Sequence, residues 1–168
     1  MRHLPVLVLP LALAGCIGPV EPTGGPNFAL VSAAGQSIGT VSAWETPGGV
    51  TFRINAAGIA GGIHGIHVHA VGRCDPPGFT SAGPHWNPTQ RQHGLDNPAG
   101  SHRGDLPNIT VAASGVVRES VTLPGATFAA LRDADGSALV IHAGADDLRT
   151  DPSGNSGDRI ACAIVSGI

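Results

Sequence analysis

The chain has 168 residues, a length that fits one domain and leaves little room for a second independent core. Only 12% of the residues are charged, while Gly and Pro number 25 and 14, a composition that suits a turn-rich β protein better than a helical one. The basic residues are all Arg, the acids outnumber them 12 to 9, and the formal charge of −3 argues against a polyanion-binding surface, nucleic acid included.

Residues 1–15 read as a signal peptide. Arg2 and His3 precede an apolar run, LPVLVLPLALA, that is far short of the roughly 20 residues a membrane span requires. Ala14 and Gly15 before Cys16 resemble a bacterial lipobox, so Cys16 is expected to carry lipid and become the mature N-terminus. The protein would then be exported and membrane-anchored, facing the periplasm or the cell exterior. Loss of Arg2 would make the mature chain one unit more negative. Residues 16–26 form the lipidated Cys and a Gly/Pro-rich tether, and the folded domain is expected to span 27–168.

From there on, short apolar or alternating stretches recur between turn residues, and none keeps a helical period over three turns. They predict strands at 28–33, 37–44, 50–56, 65–70, 108–113, 116–123, 138–142 and 159–165. In the third, Val50, Phe52 and Ile54 alternate with Thr51, Arg53 and Asn55, which puts one face in the core and the other in water. Eight such strands predict an all-β, antiparallel barrel or sandwich. Two segments, 71–107 and 143–158, are too long for simple connections and are expected to be functional loops. With Cys16 committed to lipid, Cys74 and Cys162 remain, and an oxidising compartment favours a disulfide between them.

Seven of the eight His fall between His64 and His142. His67 and His69 are two apart on a predicted strand and project from one face, with Ile66 and Val68 on the other. His85, His93, His102 and Asp105 follow in a Gly/Pro-rich loop, and three imidazoles with one carboxylate match a closed tetrahedral zinc site. His142 ends a predicted strand, where it can complete a site built by others. Six His and one Asp are one ligand short of two four-coordinate sites, which a shared, doubly deprotonated imidazole would resolve.

GIHGIHVHA, TSAGPHWNP, the HG at 93–94, HRGDLPN, HAGADDL and NSGDRIACAIV together resemble copper/zinc superoxide dismutase, over roughly residues 28–168. The resemblance implies an eight-stranded Greek-key β barrel. It implies one copper ion per subunit on His67, His69, His85 and His142, and one zinc ion on His85, His93, His102 and Asp105, with His85 as the bridge. It also implies a Cys74–Cys162 disulfide, with Cys74 placed as in the bacterial branch. Arg159 would line the copper channel and attract the anion, and His85 would move a proton, making these two the candidate catalytic residues. Asp146 would hydrogen-bond one copper and one zinc His, while Asp147 is expected to cap a local turn and His64 to bond backbone. The implied reaction is dismutation of superoxide to oxygen and hydrogen peroxide. A metal-buffering protein without turnover is the alternative, and a homodimer the preferred assembly.

Overall fold

The computed structural model describes residues 25–165. The signal segment, Cys16 and most of the tether lie outside the described residues, as do positions 166–168. Among the described residues nine strands form: β1 (Asn27–Ser32), β2 (Ser37–Thr46), β3 (Gly49–Ala57), β4 (Gly62–His64), β5 (Ile66–His69), β6 (Ile109–Val111), β7 (Val116–Pro124), β8 (Ala138–His142) and β9 (Arg159–Ile164). One helical turn, α1 (Phe128–Leu131), precedes β8, and a 3₁₀ turn spans Thr80–Ala82. Seven strands make one antiparallel sheet in the order β5-β8-β9-β1-β2-β3-β7, curled into a half-barrel, and β4 pairs with β6. The chain therefore leaves the β1-β2-β3 meander for the far edge, returns to place β7 beside β3, and crosses again to insert β8 and β9 between β5 and β1.

Each predicted strand has a counterpart, and β4 is additional. The strand expected at 65–70 is β5, and Gly65 at its start separates it from β4. A Cβ at Gly65 would lie 2.9 Å from Ser156 Cβ and 3.2 Å from Asp146 Cβ, so a side chain there would push against the 143–158 loop. That close approach carries the chain beneath the loop and separates β4 from β5.

The alternation read in β3 holds: Val50, Phe52, Ile54 and Ala56 are buried, Arg53 is half-buried over Trp44, and Asn55 is exposed. Thr51 departs from the wet-face expectation. It is buried, and its hydroxyl is satisfied by Thr122 of β7 at 2.9 Å. β5 and β8 are different again, being buried on both faces. Ile66, Val68, Leu139 and Ile141 enter the main core, whereas Ala138 and Val140 pack outward against Phe79, Ala82 and Cys162. This second apolar cluster and the Cys74–Cys162 disulfide fasten the first half of the long loop to the sheet. Truncating a side chain as buried as Phe79 to Ala costs about 3–5 kcal/mol in general.

Candidate metal centre

Period two on β5 sends His67 and His69 away from the core that Ile66 and Val68 fill. β8 pairs antiparallel with β5, Ile66 opposite Ile141, which brings His142 at its end to the same side. The loop then supplies His85, tied to β5 by an isolated bridge with His69, and Asp105, tied by one with His67. Backbone bonds from Val68 N to Gly104 O, Gly104 N to Trp86 O and Trp86 N to Val68 O lace the loop to the strand at 2.7–2.9 Å.

Each imidazole of the first set has one nitrogen committed and one left over. His69 Nδ1 donates to Gly83 O at 2.8 Å, and His142 Nδ1 to Gly157 O at 3.1 Å. His67 Nε2 donates to Asp146 Oδ2 at 2.7 Å, while His85 Nδ1 lies 3.0 Å from Asp105 Oδ1. The opposite nitrogens, His67 Nδ1, His69 Nε2, His85 Nε2 and His142 Nε2, are buried without a hydrogen-bond partner. Four orphaned lone-pair donors would be costly in an ordinary core, yet these four groups offer donor atoms within 4.8 Å of one another. The set fits a metal ion.

The second set converges more tightly. Asp105 Oδ1 lies 3.0 Å from His85 Nδ1, 3.0 Å from His93 Nδ1 and 3.3 Å from His102 Nδ1, and the two nitrogens of His85 and His102 are 3.4 Å apart. A tetrahedron of zinc–nitrogen bonds has edges of about 3.3 Å, given the usual bond lengths. These four separations fit a tetrahedral zinc site, and His85 presents one nitrogen to each set.

The two sets differ in charge. Burial, reinforced by neighbouring imidazoles, lowers His67 to about 3 and His142 to about 4, and pushes His69 well below its ordinary value. Their rings are neutral and ready to donate. Burial also disfavours a charge on His93, but hydrogen bonds to Asp105 and Asp146 outweigh it and raise His93 to about 9. Both carboxyls, although burial works against their ionisation, are held well below the usual carboxylate range by these imidazoles.

Asp146 lies between the sets, with Oδ2 on His67 and Oδ1 3.0 Å from His93 Nε2. Its backbone N–H donates to Asn108 Oδ1, and Asn108 Nδ2 donates back to its carbonyl, both at 2.8 Å. Gly154 (φ +61°) closes over this carboxylate, and a Cβ there would collide with Asp146 Oδ1. Asp147 accepts from the Arg149 and Thr150 N–H groups, and both ring nitrogens of His64 face backbone oxygens, those of His142 and Ala60.

Arg159 is half-buried and donates to Phe79 O at 2.8 Å and to Gly83 O at 2.9 Å. Burial lowers its pKa from the ordinary arginine value, but a guanidinium remains a cation. With His85 and His142 it lines a cavity of about 670 Å³. Asp133 and Asp135 line the same cavity, and Asp151 accepts the His93 N–H at 2.6 Å. These three acids were not singled out from the sequence, because turn acids carry no spacing signal that points to a distant site.

Comparison with known proteins agrees with this geometry. Residues 37–165 match the family model described as copper/zinc superoxide dismutase. A copper/zinc superoxide dismutase of Aquifex aeolicus is 42% identical over 142 residues, covering 81% of this chain and 84% of that protein. The crystal structure of a SOD-like protein from Bacillus subtilis superposes with a TM-score of 0.80 at 38% identity, covering 84% of this chain and 99% of that one. The Cu/Zn superoxide dismutase from Brucella abortus gives 0.70 at 31% identity, covering 83% and 98%.

Proposed function

This chain belongs to the copper/zinc superoxide dismutase family, and we propose that it converts two superoxide ions and two protons into oxygen and hydrogen peroxide. The observation that carries the proposal is the set of four orphaned, buried nitrogens on His67, His69, His85 and His142, joined through His85 to a second set of zinc-like spacing. Copper, when bound, supplies one-electron redox chemistry, and zinc, which has none, supplies fixed charge and structure.

The chain's own groups do the rest. Arg159, held by two carbonyls, presents a fixed positive charge to an anion entering the cavity, against an overall charge of −3. His85 Nε2 is the atom at which a proton can be taken up and returned, while Nδ1 stays with the Asp105 set. Asp146 fixes His67 and His93 so that Nδ1 of each faces its set. The disulfide accords with an oxidising, exported compartment. Within the proposal, residues 1–15 are removed, Cys16 anchors the protein through lipid, 16–26 form the tether and 27–168 the domain. Cys16→Ser should then abolish partition into detergent phase, and unchanged membrane association would sink the anchor.

The activity is tested by cyanide-sensitive superoxide consumption in protein reconstituted with both metals. Full copper loading without turnover would favour metal buffering instead.

A further inference from the structure

We propose that Asp151 is a positioning residue for the zinc half, acting as the outer carboxylate of His102 and as the clip that joins the two long loops. The proposal rests on the zinc reading of His85, His93, His102 and Asp105.

All four donors of that set come from one loop segment with little core of its own, so something outside the segment must hold it. The 143–158 loop lies against it along a polar seam. Asp96 N donates to Leu148 O at 2.9 Å, and Asn97 Nδ2 donates to His93 O at 2.8 Å and to Arg149 O at 3.3 Å. On the outside, Arg149 Nη2 sits 3.8 Å from Asp96 Oδ2. At the inner end, Asp151 Oδ1 accepts the His93 N–H at 2.6 Å and lies 3.7 Å from His102 Nε2. The residues that present it are themselves pinned, since Asp147 Oδ1 accepts from both Arg149 and Thr150 N–H and Gly154 N donates to Thr150 O at 2.7 Å.

The arrangement repeats, from a second residue, what Asp146 does for His93. Both zinc-side imidazoles offer Nδ1 to the common point, so both must carry their proton on Nε2, and each Nε2 faces a carboxylate oxygen. At 3.7 Å Asp151 is beyond hydrogen-bond range and acts on His102 through its charge, favouring the tautomer that leaves Nδ1 free. Its half-exposed side chain keeps that effect below the one Asp146 exerts from full burial.

Two variants separate the clip from the charge. Asp151→Asn keeps an oxygen to accept the His93 N–H and removes the charge, whereas Asp151→Ala removes both. Zinc and copper dissociation constants would be measured by chelator competition on the disulfide-intact protein, with cobalt(II) absorption reporting the zinc-half ligand field. Outer carboxylates typically contribute 10–100-fold to metal affinity, so we expect zinc weakened about 3–10-fold in Asp151→Asn and about 10–100-fold in Asp151→Ala. Copper affinity should stay within about twofold in both, and the cobalt bands should shift in Asp151→Asn, as a change of charge beside a ligand requires. Zinc affinity unchanged in both variants overturns the proposal. So does a matching loss of copper, which would mean collapse of the loop. A wild-type protein that takes up no zinc overturns the zinc reading and this proposal together.

Discussion

Three of the four donors in the His67, His69, His85 and His142 set ride on β5 and β8, whereas all four of the second set belong to the loop between β5 and β6. The first set is positioned by strands whose other faces fill the core. The second depends on lacing to β5, on Asp146 and on the seam with the 143–158 loop. Similar donor chemistry is thus mounted on a rigid support in one case and a conditional one in the other. Charge follows the same division, with neutral imidazoles on the strands and a His93 held protonated between two carboxylates in the loop.

The largest expected effect comes from Asp105→Ala. Losing one of four ligands forfeits about a quarter of the roughly 10–16 kcal/mol of a structural zinc site, so zinc should weaken about 100- to 1,000-fold. Copper should weaken far less, by about tenfold at most, because the strands keep its donors in place. Equal losses at both sets, in chelator competition, would erase the contrast.

Proton competition sharpens it. In the metal-free protein His93 is raised to about 9, so below that pH zinc must displace a proton and its apparent affinity should climb about tenfold per pH unit, levelling above it. His67 at about 3 and His142 at about 4 have already lost theirs, so copper affinity should be nearly flat between pH 6 and 8. Titrations of both metals at three pH values decide it.

Asp146→Asn should break the contrast from the middle, since the same carboxylate serves His67 and His93. Both affinities should fall, by about 10–100-fold. A loss confined to zinc would mean that β5 alone orients His67.

The smallest effect is kinetic. Arg159→Ala should keep both metals and lower kcat/KM by about tenfold at low salt, and Arg159→Glu should lower it further, within the span that electrostatic focusing provides. The wild-type rate should fall as ionic strength rises, and the alanine variant should respond less. Metal loss in Arg159→Ala would instead assign the side chain to holding the 79–83 segment.

Much of the centre could be read from the sequence because metal donors are chemically conspicuous: six His and one Asp in a poorly charged chain stand out wherever they lie. The strand carrying His67 and His69 was legible from period two. What remained hidden were partners without a side-chain signature. Gly83 O and Gly157 O choose the donor nitrogen of His69 and His142, and no spacing rule announces a backbone carbonyl. Asp151 carries no spacing signal in the sequence, and its position follows from how two loops meet in space. β4 was missed because three residues ended by a glycine give too short a pattern, and the reason for Gly65 lies 91 residues away at Ser156.

β5 has a consequence for how the chain finds its native pairing. A slip by one residue against β8 would turn Ile66 and Val68 into the metal cavity and drive His67 and His69 into hydrocarbon, where their ring nitrogens would go unsatisfied. These four imidazoles are therefore also a proofreading device. Only the correctly paired chain assembles four imidazoles at one point, and a metal bound there would draw the folding population toward that alignment by mass action.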